Sequence, residues 1–291
     1  MKHSFFYIIF ILFAACNTSQ ESKQDKLPAD TVLTKDTIVK TDSSDYFSDT
    51  ALYDDDVYFD TDDYEETEPY LDTANCKLNL TAGKNYKKTK EKIVQIRLQL
   101  QKEYEQINDS LQKRQFLDSV SEIFCNYLLN EIIPYWYGTQ WTFNGYTSVP
   151  NQGTVACGYF VSTTLEHMDV NINRYKFAQQ SAENEAKTLC FGNKKNMRVF
   201  KNQDFYTDTV LNTIPDGLYM SGLDYHVGYL YKKQGKSFFI NSDYVFGYVL
   251  IADAEKADAF ASQKYYLTKL SSNYEFLDSW LLNKEIKIVK K

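Results

Sequence analysis

The chain has 291 residues, 43% of them hydrophobic and 24% charged, enough apolar material to close a core of ordinary domain size. The net charge of −7 is unevenly placed: residues 41–76 carry 13 Asp or Glu and no Lys or Arg, while residues 77–291 carry 27 Lys or Arg against 22 Asp or Glu. The lysines form no basic cluster and the 3 histidines form no HExxH or paired-cysteine pattern, which argues against nucleic-acid binding and against a zinc site.

The chain opens with "MKHSFFYIIFILFAAC": a basic start at Lys2, an apolar run from Phe5 to Phe13, and Ala14 and Ala15 directly before Cys16. This reads as a secretory signal over residues 1–15, the apolar run being far shorter than the roughly 20 residues of a membrane span. The small-small-Cys ending resembles the lipobox of bacterial lipoproteins, although Phe13 stands where leucine is preferred. The resemblance implies that Cys16 becomes a lipidated N-terminus holding the protein to the membrane. The alternative is an ordinary cleaved signal with an incidental cysteine. No acidic residue follows Cys16 immediately, which weakly favours the outer over the inner membrane.

Export implies a compartment that permits disulfides. Cys76, Cys125, Cys157 and Cys190 remain after Cys16, with no CxxC among them, and spacing leaves their pairing open. The acidic stretch cannot offset its ordering entropy by burial, so residues 16–80 are expected to be a disordered tether. Its "DDDVYFDTDD" lacks the glycine-centred spacing of a calcium loop.

Over residues 84–112 the apolar positions Ile93, Ile96, Leu100, Tyr104, Ile107 and Leu111 predict one helix, and residues 81–114 are assigned to a helical extension. Phe116, Val120, Ile123 and Tyr127 predict a second helix ending before Pro134, with Cys125 as a core residue. "PYWYGTQWTFNGYTSVPNQG" is aromatic, turn-rich and aperiodic, and reads as a structured loop. Helices are expected over about 157–168 and 176–189. "GLYMSGL", "HVGYLYKK", "KSFFINSDY", "YVLIADA" and "KYYLTKL" then read as strands. Helices first and strands second predict an α+β fold, with helices packed on a small antiparallel sheet.

Cys157 is expected in the first turn of its helix, capped by Gly153 or Thr154, where free N–H groups and the helix dipole lower a thiol pKa. Yet Cys157, Phe160, Val161, Thr164, Leu165 and Met168 share one helical stripe, which suits a buried core cysteine equally well. A nucleophilic thiol needs a base. His167 is ten residues along the same helix, about 15 Å away at 1.5 Å per residue, which leaves His226. "QGKS" at 234–237 reads as a hairpin turn; centred on Gln234 and Gly235, it puts His226 across from Asp243 and diagonal to Asn241, with Ser242 on the other face.

"YWYGTQWTFNG", "ACGYFVSTTL", "DYHVGYLY" and "FFINSDY" together resemble, in order, the segments of the NlpC/P60 superfamily, papain-like bacterial cysteine peptidases and amidases of cell-wall peptides. The resemblance covers roughly residues 115–250, and residues 115–291 are assigned to a papain-like catalytic domain. It implies Cys157 as nucleophile, His226 as base and Asn241 as the residue orienting it, with Asp243 the alternative third residue. Tyr135 and Gln140 would serve the oxyanion or substrate. No cofactor or metal is implied. The sequence departs from the family at Ala156 before the cysteine and Gly158-Tyr159 after it, where Asp and Ser-Gly are common. The third position is commonly His, where Asn241 is the papain choice.

The function expected is a lipid-anchored cell-envelope hydrolase cleaving an amide bond, in cell-wall peptides or another amide substrate, through a thioester. Two rivals stand beside it: a noncatalytic lipoprotein binding peptide or glycan through the aromatic loop, and a thiol acyltransferase.

Overall fold

The computed structural model describes residues 76–201 and 207–290. The expected signal segment, Cys16 and nearly all of the acidic tether lie outside the described residues.

Two long helices open the described chain, α1 (Tyr86–Glu105) and α2 (Ser110–Tyr127), where one continuous helix was expected to residue 112. Asp109 stops the pattern by accepting the Gln112 N–H as an N-cap, so Leu111 falls in the first turn of α2 and stays exposed. The second helix widens into a π-helical turn at Leu128–Ile132 and then tightens into a 3-10 turn at Ile133–Tyr135 before the aromatic loop. Helix α1 does not stand apart as an extension: Ile93 and Tyr104 belong to the same apolar core as Phe160, Met220 and Trp280. The buried Arg97 anchors it, donating to Asp169 Oδ2 at 2.6 Å and to the Leu281 carbonyl at 3.0 Å.

Helix α3 (Cys157–His167) follows the loop; α4 (Arg174–Ala178) and α5 (Ala182–Leu189) replace the single helix expected near 176–189. Ser181 divides them, its hydroxyl accepting the Asn184 N–H to start α5. Strand β1 (Met197–Lys201) and helix α6 (Thr207–Thr213) come next, then β2 (Gly217–Gly222), β3 (Val227–Lys233), β4 (Lys236–Ser242), β5 (Val249–Asp253), β6 (Lys264–Lys269) and α7 (Tyr274–Leu281).

The fold is α+β, with one six-stranded antiparallel sheet in the order β1-β6-β2-β3-β4-β5. The turn between β3 and β4 takes positive φ at both Gln234 (51°) and Gly235 (77°), the two-residue hairpin expected, and pairs Tyr229 with Ile240 and Lys233 with Lys236. Both sheet faces are covered, so the inner strands read as nearly continuous apolar runs. Leu218, Met220, Val227, Tyr229 and Ile240 pack with the main helices. Tyr219, Leu230, Phe239 and Leu267 pack on the other face with Val210 and Leu211 of α6 and with Phe260.

Glycine allows the closest helix-to-sheet approach: a Cβ at Gly222 would lie 2.5 Å from the Ala182 carbonyl oxygen at the start of α5. Gly145 does the same for the aromatic loop, where a Cβ would come within 2.5 Å of the Val155 nitrogen. The chain leading into α3 is thereby fixed against that loop.

Candidate active site

Cys157 begins α3, as expected, but the cap differs. Ala156 occupies the N-cap position without a side-chain bond, and Thr154 instead pairs its hydroxyl with that of Thr142 at 2.8 Å. Phe160, Val161, Thr164, Leu165 and Met168 are all buried, while Cys157 at the head of the stripe remains partly exposed. The helix is held to the sheet by Tyr229, whose hydroxyl meets Thr164 Oγ1 at 2.8 Å and donates to the Val161 carbonyl at 3.1 Å.

His226 lies at the end of the β2–β3 turn and is 5% exposed. Its carbonyl accepts the Leu223 N–H at 2.8 Å, and Asp224 braces the turn by accepting from Ser262 Oγ, the Gln263 N–H and the Lys264 N–H. The hairpin register carries Asn241 beside the imidazole, and His226 Nε2 meets Asn241 Oδ1 at 2.7 Å. An amide oxygen can only accept, so Nε2 carries the proton and Nδ1 keeps its basic lone pair. Ser242 points to the opposite face and donates to the Val155 carbonyl at 2.7 Å, which ties β4 to the segment entering α3.

Asp243, the alternative third residue, is not hydrogen-bonded to the imidazole. Its Oδ1 accepts the N–H groups of Val245 (2.7 Å) and Phe246 (3.0 Å), closing the loop before β5. Tyr135 stays with α1: its hydroxyl accepts the Asn85 N–H at 3.1 Å. Gln140 runs beside Val155 through its backbone, but its amide donates back to the Gly138 carbonyl at 3.4 Å rather than reaching the thiol.

The N–H of Val227, the residue after His226, is directed at the Cys157 sulfur together with the N–H groups of Cys157 and Gly158. Among the described residues no hydrogen bond joins the thiol to the imidazole. Burial dominates the electrostatics and reverses the expected direction. It pushes the Cys157 thiol up to about 11, helped by the carboxyl of Glu185, and the three N–H groups offset only part of this. Burial also lowers the His226 pKa, against the bond to Asn241 and the charge of Asp243. At neutral pH the resting pair is therefore a thiol and a neutral imidazole.

Tyr244, Glu185 and Asp224 were not foreseen from the sequence. Tyr244 stands edge-on to the imidazole, ring centroids 5.2 Å apart, and Trp141 follows at 6.4 Å from Tyr244. Glu185, 2% exposed, lies where a Cβ on Gly158 would be 2.9 Å from its Oε1; its Oε2 has no hydrogen-bond partner, and burial raises its pKa well above the usual carboxylate range. Asp224, two residues before His226, had the one legible signal, a turn-forming aspartate between two strands. A pocket of about 360 Å³ adjoins the site, lined by His226, Tyr244, Tyr225, Asp224 and Lys264, with Cys157 outside its wall. Among the described residues no group of three or more His, Cys, Asp or Glu could hold a metal ion.

His167, at the far end of α3, bonds the Tyr86 hydroxyl through Nδ1 at 2.8 Å and is pushed down to about 3 by burial, with Lys90 and Arg174 adding to the effect. A histidine whose folded pKa lies below its unfolded value of about 6.5 contributes stability above that value and loses it as pH falls. His167→Gln is therefore expected to shrink the stability difference between pH 7 and pH 4, read by urea unfolding, by about 3 kcal/mol. An unchanged difference would mean that this imidazole is not the group being charged.

No protein-family model, curated protein or solved structure matches the chain.

Proposed function

We propose that this chain is a cell-envelope cysteine hydrolase of papain-like type, cleaving an amide bond through a thioester on Cys157. The observation that carries this reading is the bond from His226 Nε2–H to Asn241 Oδ1, which leaves Nδ1 basic one residue from the N–H directed at the Cys157 sulfur. Because both groups rest neutral, proton transfer accompanies attack: the sulfur bonds to the carbonyl carbon as its proton passes to Nδ1. The N–H groups at the start of α3 face the developing oxyanion. Collapse breaks the C–N bond, and the imidazolium protonates the leaving amine. Water then attacks the thioester, giving its proton to Nδ1, and the thiol is restored.

The thiol and imidazole must close on each other when substrate binds, as such pairs do when their hydrogen bonds are loose in the free enzyme. The envelope location rests on the opening "MKHSFFYIIFILFAAC", and a cell-wall peptide as substrate rests on the family resemblance. The neutral resting pair also suits a noncatalytic binding domain, which is the second reading.

A peptidyl acyloxymethyl ketone, which alkylates activated thiols, separates the two. Incubated with the full chain and mapped by peptide mass, it is expected to form a thioether at Cys157, and none at that position in Cys157→Ser. Labelling confined to other cysteines, or none, would leave the binding-domain reading standing.

A further inference from the structure

The mouth of the site is bordered by an uncharged aromatic surface. Residues 138–156 and 244–252 contain no Asp, Glu, Lys, Arg or His, in a chain that is 24% charged. The two segments form one surface: the Gly138 N–H donates to the Val249 carbonyl at 2.9 Å and the Trp141 N–H to the Gly247 carbonyl at 2.8 Å. On it Phe143 is 81% exposed, Tyr146 62% and Phe246 58%. Aromatic rings at such exposure, with charge removed from around them, mark a binding surface rather than a solvated loop.

Along "QWTFNGY" rings alternate with neutral hydrogen-bonding groups: Gln140, Thr142 and Asn144 are exposed between Trp141, Phe143 and Tyr146. We infer that this surface binds an uncharged carbohydrate chain, pyranose rings lying on the aromatic faces and hydroxyls meeting the amides and hydroxyls between them. An anionic polymer or an acidic membrane would need exposed cations; the two segments contain none, and Arg174, which donates to the Tyr146 and Thr147 carbonyls from beneath, is buried, leaving Lys264 at the pocket beyond Tyr244 as a single cation. Insertion into a neutral bilayer would take the exposed amides of Gln140 and Asn144 out of water. A sugar chain satisfies both kinds of group together. The surface continues through Tyr244 to His226, so a group borne on the bound chain would lie at the site mouth. The inference goes beyond the hydrolase reading, deepens the binding-domain reading by naming the surface and an uncharged sugar chain as its ligand, and does not require Cys157 to be a nucleophile.

The chain offers its own reporter. Of its 3 tryptophans, Trp136 (0% exposed) and Trp280 (1%) are sealed in the core, so a ligand-induced emission change reads Trp141. The full chain is titrated with cellohexaose and with chitohexaose. At least one is expected to give a saturable emission change, weakened at least tenfold by Phe143→Ala, whose side chain is too exposed to matter for folding, and unaltered by Val199→Ala on the far edge strand β1. The inference is overturned if neither sugar produces saturation at millimolar concentration, or if Phe143→Ala binds as tightly as the parent chain. It is equally overturned if only polygalacturonate or phosphatidylcholine vesicles give the change, or if sedimentation shows a dimer through this surface that the sugars leave intact. Covalent labelling of Cys157 is read separately, so failure here leaves the hydrolase reading untouched.

Discussion

Trp280→Ala is expected to lower the unfolding free energy by about 3–5 kcal/mol, a large share of the roughly 5–15 kcal/mol that a domain of this kind possesses. The indole is 1% exposed and fills the junction of α2, α3 and α7. Its ring meets Phe124 at 5.0 Å, and its Nε1–H donates to the Met168 carbonyl at 2.6 Å, just past the end of α3. Truncation opens a cavity that the surrounding helices cannot close and leaves that carbonyl without its donor. Trp280→Phe separates the two effects, since it keeps most of the packing and loses the bond; its cost is expected near 1–2 kcal/mol. Urea unfolding followed by circular dichroism measures both. A loss under about 1 kcal/mol for Trp280→Ala would mean that α7 is not part of the cooperative core.

The second large effect is on chemistry. His226→Ala is expected to slow acylation of Cys157 by about 10²–10⁴-fold, the usual contribution of a positioned general base. The magnitude follows from the resting charges. With the thiol pushed up to about 11, the thiolate is scarce at neutral pH, and helix α3 alone cannot generate it. Reactivity there depends on a base close by, and His226 is the imidazole whose other nitrogen is fixed by Asn241. Asn241→Ala is expected to lose part of the same factor, because the ring is then free to turn and its tautomer is no longer held.

Much of the framework was legible because it depends on short-range patterns. The turn at Gln234 and Gly235 determines the register of the β3–β4 hairpin, and the register alone brings Asn241 to His226 and turns Ser242 away. The stripe residues Phe160 to Met168 are buried, but so are Gly158, Ser162 and Thr163 off the stripe, so α3 is enclosed on more than the one face that the spacing predicted. Element boundaries were less legible where apolar spacing ran across a break. Ile107 and Leu111 continue the pattern of α1, and only the capping geometry of Asp109 reveals that a new helix begins. Strand β1 escaped because, as an edge strand, it buries too little of "MRVFK" to show a period.

What could not be read were quantities set by three-dimensional burial. A helix N-terminus favours a thiolate, but how deeply the sulfur sits and whether a carboxyl packs behind it are not local properties, and here they outweigh the helix. Glu185 lies in "SAENEAKTL", read only as part of a helix, yet it is buried against Gly158. Tyr135 and Gln140 fell on the expected segment, but α1 claims the tyrosine hydroxyl and the loop's own backbone claims the glutamine amide.

The central claim, that His226 draws the proton from Cys157, is tested most directly by the pH dependence of Cys157 acylation in the parent chain and in His226→Ala. The parent rate is expected to climb to a plateau with an apparent pKa below 6.5, since burial lowers that of His226. The variant should lose this limb and rise about tenfold per pH unit toward the thiol's own pKa near 11, following the thiolate alone. Superimposable profiles for the two proteins would contradict the account and return Cys157 to the core.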